Sequence, residues 1–152
     1  MSFELKRGNF ILSTDPVKLD IPMIHDFLSN RSYWAKGVPY ETVLASIKGA
    51  LCFGLYFDGR QIGFARAVTD HVTVAYLADV FILEEYRGEG LGKWLVDGIL
   101  KHPDFQDLRR IMLLTSTAQS LYSKFGFTTT EGHKLYDYME KVNLKRFAEE
   151  LQ

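Results

Sequence analysis

Apolar and polar positions along the chain switch between two periods, and the switches mark out the elements. Residues 3–12 alternate weakly and predict a first strand at a sheet edge. Thr14, Asp15 and Pro16 form a turn signal. Asp20 stands where a helix cap belongs, Pro22 falls in the first turn, and Met23, Ile24, Phe27 and Leu28 share one helical face. Residues 29–39 are polar and aromatic and predict a loop. A short helix is expected over 40–48, with Val43, Leu44 and Ile47 inward. Two strands follow, 50–57 and 61–69, joined by the tight hairpin signal Asp58-Gly59. Asp70-His71 turns the chain into a long strand over 72–83, rich in β-branched and aromatic residues. Leu91, Trp94, Leu95 and Ile99 then recur at helical spacing, and Pro103 forbids continuation of that helix. Residues 110–115 read as a strand and 117–125 as a short helix, with Thr117 as its cap and Gly126 in the left-handed position that ends it. A final strand is expected near 135–142. A terminal helical turn over 143–151 would carry Leu144, Phe147 and Ala148 as its stripe.

This order is an antiparallel meander entering a βαβ crossover. It predicts an α+β fold, a mixed α/β sandwich whose central, mostly antiparallel twisted sheet is flanked by helices. A chain of 152 residues suits one domain spanning 1–152.

The junction between the long strand and its helix carries the chemistry. After the polar bend Glu84, Glu85 and Tyr86 comes Arg87-Gly88-Glu89-Gly90-Leu91-Gly92-Lys93. A helix that leaves a glycine loop directly offers first-turn amides with no internal acceptor, under the positive end of its dipole. Glycines let a phosphate approach that backbone, and Arg87 and Lys93 add full charges. A connection with no ligand is the plainer alternative. Two known phosphate motifs fail on spacing. A P-loop needs glycine where Arg87 stands and Ser or Thr where Trp94 stands, and a dinucleotide loop needs glycine where Lys93 stands.

Composition narrows the rest. Hydrophobic residues make up 47%, enough for a packed core, and a net charge of -1 gives no basic bias toward nucleic acid. The single Cys52, in an apolar run, excludes an internal disulfide and a thiol-based zinc cluster, and the four histidines are scattered, so no metal is expected. Cys52 reads as a buried, inert thiol. The first nine residues are mixed and charged. No apolar run reaches the roughly 20 residues of a membrane span, so a soluble cytoplasmic protein is expected.

Three stretches share a further resemblance. Arg87, Gly90 and Gly92 match an Arg-x-x-Gly-x-Gly loop, Asp79-Val80-Phe81-Ile82 precedes it, and residues 118–127 place Tyr122 four positions before Gly126-Phe127. Together with the element order, they resemble the GNAT superfamily of acetyl-CoA-dependent N-acetyltransferases over nearly the whole chain. The resemblance implies acetyl-CoA as co-substrate, with its pyrophosphate held by the amides of Gly88, Glu89, Gly90, Leu91, Gly92 and Lys93. The pantetheine arm would lie along Val80, Phe81 and Ile82 as an added strand. The Val80 N–H would serve as a one-donor oxyanion hole.

Acetyl transfer to an amine also needs proton management. Tyr122 is the candidate general acid for the departing thiolate, since a phenol is a competent donor; packing against the core is its other use. Tyr76 and Asp79 are candidates on the base side. Some relatives carry a catalytic glutamate where this chain has Tyr76, a departure that puts direct glutamate catalysis in doubt. Asp79 inside an apolar run either orients the amine or takes its proton through water, or else pairs with Arg66 or hydrogen-bonds a neighbouring strand. Glu84 and Glu85 read as solvated bend residues. Tyr33 and Trp34 are candidate walls of an acceptor pocket, or loop packing over the core. The expected partner is a small-molecule or peptide amine, with no nucleic acid or membrane, and the last strand or tail offers a surface for a homodimer. A CoA-binding sensor or interaction module without turnover stays open because of Tyr76. A nucleotide-binding protein using the same loop is a third reading.

Overall fold

The computed structural model describes residues 2–132, 135–143 and 145. Two compact units divide the chain, Met1–Thr115 and Ser116–Gln152. The first holds a six-stranded sheet in sequence order. Its strands are β1 (Glu4–Arg7), β2 (Phe10–Ser13), β3 (Leu51–Phe57), β4 (Arg60–Thr69), β5 (Val74–Ile82) and β6 (Arg110–Leu113). Neighbours pair antiparallel from β1 to β5, and β6 runs parallel to β5. The meander and crossover expected from the pattern are therefore formed, as an α+β sheet of the expected kind.

The first strand predicted over 3–12 is instead a hairpin. Gly8 takes φ 58°, the left-handed region a tight reversal needs, and β1 folds back on β2. Helix α1 (Ile21–Asp26) is capped as anticipated, with the Asp20 carboxylate accepting from the Met23 N–H at 3.1 Å. It runs on into a π-helical turn, Phe27–Arg31, where a loop was expected from residue 29. Helix α2 (Tyr40–Lys48) has its predicted bounds.

These helical segments cover one sheet face. Ile24, Phe27, Leu28, Val43 and Ile47 pack on Cys52, Phe64, Phe81 and Leu83. Each fully buried side chain of this size contributes roughly 1.5–3 kcal/mol. Helix α3 (Leu91–Leu100) buries Leu91, Leu95, Val96 and Ile99. Gly98 brings α3 against the β1–β2 hairpin, since a Cβ there would collide with the Leu12 side chain.

In the second unit, α4 (Gln119–Ser123) ends before Gly126, which takes φ 89°. Its N-cap is Ala118, without a side-chain bond, so Thr117 is not the cap that its position suggested. The strand expected near 135–142 is not formed by the described residues there. A run of strand-prone residues is a local feature, whereas a strand also needs a neighbouring ladder. The expected terminal turn over 143–151 lies outside the described residues except at 143 and 145.

One buried titratable group links the fold to pH. His102 sits among Phe3, Phe53 and Phe105, with ring centroids 5.1, 5.7 and 5.6 Å away. Its Nδ1 accepts from the Asp104 N–H at 3.1 Å. Burial lowers its proton affinity below the ordinary value of 6.5; nearby Asp104 opposes the shift and His71 adds to it. The unfolded chain then binds this proton more tightly than the fold does. Stability contributed here is present above about pH 6.5 and declines as pH falls through that value. The melting temperature of the wild type should therefore fall more steeply from pH 7.5 to 5.5 than that of His102→Asn, whose amide oxygen can keep the Asp104 contact. Parallel slopes would refute the assignment.

Candidate active site

Asp79 interrupts the sheet. Phe64 of β4 faces Phe81 of β5, but Arg66 faces Ala78, so two steps along β4 span three along β5. Asp79 and Val80 together stand opposite Ala65, which is a β-bulge. Asp79 takes φ 53°, a left-handed conformation that aspartate tolerates better than most residues. Its carboxylate is held from two sides. Oδ1 accepts from the Trp34 Nε1–H and Oδ2 from the Arg66 Nε–H, both at 2.9 Å. The Arg66 and Asp79 side chains are mostly buried, at 18% and 12% exposure. Of the roles left open for Asp79, pairing with Arg66 is formed.

The registered pairing of β5 with β6 has also ended by this level among the described residues. That parallel pairing runs from Val74 opposite Arg110 only to Leu77 opposite Leu113. Asp79 and Val80 thus have no registered partner on either side among the described residues. Just beyond, Gly63 lets β4 lie close to β5. A Cβ there would sit 2.8 Å from Ile82 Cδ1 and 3.1 Å from the Phe81 carbonyl oxygen.

The chain then leaves β5 through a 3₁₀ turn, Glu84–Tyr86. Gly88 and Gly90 take φ 87° and 76°, and a Cβ on either would meet nothing within 4 Å. Conformation, not crowding, demands glycine here, and the surface above the loop is open. Gly90 is the N-cap of α3 and no side chain caps that end. The amides of Leu91, Gly92 and Lys93 therefore face outward without intrahelical acceptors. Leu91 buries its side chain while its amide stays in this first turn. Arg87 donates Nε–H to the Ile82 carbonyl at 3.1 Å, which fixes the guanidinium beside the loop. Glu89 and Lys93 are exposed. A bare helix N-terminus, two left-handed glycines and two cations suit a diphosphate.

Comparison with known proteins gives the family. The acetyltransferase (GNAT) domain family matches residues 48–129, more than half of the chain. A Gibberella zeae protein whose name places it among the acetyltransferases is 34% identical over 139 residues, covering 78% of each chain. A Xanthomonas campestris pv. campestris protein of the GNAT family, known from its crystal structure, is 44% identical. It has a TM-score of 0.78 and covers 88% of this chain and 96% of its own. The chain belongs to the GNAT acetyltransferases. An uncharacterized N-acetyltransferase of Gracilaria tenuistipitata var. liui is 38% identical over 113 residues, covering 70% of this chain and 62% of its own.

Within this GNAT fold the remaining predicted residues fall as follows. Tyr76 pairs with Val68 and Met112, and the pleat puts it on the sheet face of Arg66. Tyr33 is half exposed and meets Trp34 edge to face at 5.0 Å. Trp34 commits its indole N–H to Asp79. Tyr122 belongs to the second unit, where it is buried with Phe127 at 5.6 Å. A cleft of about 650 Å³ lined by Phe3, Thr14, Leu51, His102 and Asp104 shares no residue with the bulge or the loop.

Sequence reasoning missed the bulge itself and two ties that accompany it. Arg31 bonds Glu84 at 2.8 Å, so Glu84 is an ion-pair partner as well as a bend residue. Phe27 stacks on Phe81, with centroids 3.9 Å apart and planes 6° from parallel. The available signal was Asp79 itself, an acid inside an apolar strand at the point where buried positions change face, from Ala75 and Leu77 to Phe81.

Cys52 stands opposite Arg66 in the β3–β4 ladder. Burial pushes its thiol up to about 12, with Arg66 pulling against the shift and Asp79 adding to it. At neutral pH the group is a thiol and a poor nucleophile. The folded protein should therefore resist iodoacetamide at pH 8 and be alkylated fully in denaturant. Rapid labelling of the native chain would overturn this account.

Proposed function

We propose that this chain is an N-acetyltransferase, working as one domain over residues 1–152, that moves an acetyl group from acetyl-CoA to a primary amine of a small molecule or peptide. The observation that carries this reading is a pair of backbone segments that fall outside regular pairing. The uncapped start of α3 follows directly on a stretch of β5 whose bulge leaves Val80 outside both ladders. Acetyl-CoA, when bound, supplies an activated acyl carbon and a thiolate leaving group. The amides of residues 88–93, with Arg87 and Lys93, hold the diphosphate. Val80, Phe81 and Ile82 hold the pantetheine arm through main-chain groups. The Val80 N–H donates to the carbonyl oxygen as negative charge develops on it.

The amine nitrogen attacks the acyl carbon directly, the C–S bond breaks, and Tyr122 gives its proton to the departing sulfur. The amine's proton passes to solvent on the side of Tyr76. Asp79, with both oxygens engaged, contributes by orientation and not as a base. Tyr33 and Trp34 form an aromatic wall for the acceptor. A protein that binds CoA without turnover is the competing reading, favoured by Tyr76 at a position where some relatives carry an acid.

Calorimetric titration with acetyl-CoA should give a dissociation constant of about 1 µM to 1 mM, the usual substrate range. Gly90→Val should abolish it, because a β-branched residue resists φ near 76°. A flat wild-type titration would sink the reading. Thiol release over a panel of amino acids, polyamines, aminoglycosides and peptides should then find an acceptor. Binding with no release from any of them would favour the silent module. Tyr122→Phe should lower kcat by about 10²-fold with KM for acetyl-CoA little changed. An unaltered kcat would remove Tyr122 from the mechanism.

A further inference from the structure

We infer that Trp34, Arg66 and Asp79 form a positioning brace that sets the angle of the Val80 amide for acyl transfer. The inference rests on the acetyltransferase reading above. Asp79 holds a left-handed φ of 53° in mid-strand, where a non-glycine residue normally extends. Such an outlier persists only when its surroundings over-determine it, and here they do. The two donors come from different elements. Trp34 lies 45 residues away in the segment after the π-helical turn, and Arg66 lies 13 residues away on β4.

The bulge decides which way the next amide points, because one extra residue turns the strand and removes Val80 from its ladder. The carboxylate, tied at both oxygens, leaves the peptide between Asp79 and Val80 little freedom to rotate. A hydrogen-bond donor aimed at developing charge is effective only when it is already oriented. Trp34, Arg66 and Asp79 touch no reacting atom in this scheme. They act through Val80.

Half of the brace belongs to the acceptor side. Trp34 neighbours the half-exposed Tyr33. The same segment is anchored to β5 and its following turn by the Phe27–Phe81 stack and the Arg31–Glu84 ion pair. The aromatic acceptor wall and the oxyanion donor are therefore parts of one connected body. A change at the wall is transmitted to the amide through the Trp34–Asp79 bond.

The test uses Trp34→Phe, which keeps an aromatic ring and deletes the N–H, and Asp79→Asn, which keeps tolerance of the left-handed region and loses one acceptor. The ¹⁵N-labelled full chain is titrated with acetyl-CoA and separately with CoA. In the wild type the Val80 amide resonance should move on acetyl-CoA and much less on CoA. Both variants should bind CoA within about threefold of wild type and lose the acetyl-dependent movement. With an acceptor from the amine panel, kcat should fall about tenfold or more while KM for acetyl-CoA changes less than about threefold. A Trp34→Phe protein with the wild-type amide response and kcat overturns the brace and leaves the acetyltransferase reading standing. So does a loss of folding or of CoA binding in both variants, since the three residues would then hold the sheet and not the amide. Absence of CoA binding by the wild type overturns both.

Discussion

A main-chain N–H that a sheet uses to hold itself together is lost to any ligand. Two places along this chain fall outside regular strand or helix pairing. One is the bulge at Asp79 and Val80, where β5 steps out of register with β4 and has already parted from β6. The other is the first turn of α3, where helix geometry itself leaves amides unpaired and Gly90 supplies no capping side chain. Only residues 81–90 separate them. The chain passes from one such segment to the other through a single 3₁₀ turn and two left-handed glycines.

A break in strand register costs stability, and the structure concentrates side-chain interactions around it. Phe64, Phe81 and Leu83 join the core cluster beneath the bulge, with Gly63 allowing β4 to approach β5 just beyond it. The Asp79 carboxyl group is largely buried, which is unfavourable unless both oxygens are satisfied. Trp34 and Arg66 satisfy them. The same contacts that make the acid tolerable fix the conformation of the strand. Cys52, close to this ion pair but held as a thiol by burial, adds volume and no reactivity.

Much of the strand, loop and helix was legible from residue order. Helix α2 has its predicted bounds, Asp20 caps α1, and the strand, glycine loop and helix stand where periodicity put them. These are local features, set by spacing, capping and turn chemistry within a few residues. The failures were of two kinds. The hairpin at Gly8 and the π-helical turn after α1 were local but weakly marked. The strand expected near 135–142 failed because local composition does not supply a pairing partner.

By itself the amino-acid order determined the α+β architecture, the glycine turn at Gly88 and Gly90 that opens α3 and the family to which they belong, because each follows from short-range rules that survive in any tertiary setting. It left Asp79 suspended between base, orienting group and ion-pair partner, and Trp34 between pocket wall and packing. Only the folded chain showed that Asp79 bonds both Arg66 and Trp34, since Trp34 and Asp79 are 45 residues apart and meet when the segment after α1 lies across β5. The bulge is likewise a relation between two strands, Arg66 opposite Ala78 while Phe64 is opposite Phe81. No pattern within one strand specifies a mismatch with another, so register, and the backbone groups it sets free, belonged to tertiary structure alone.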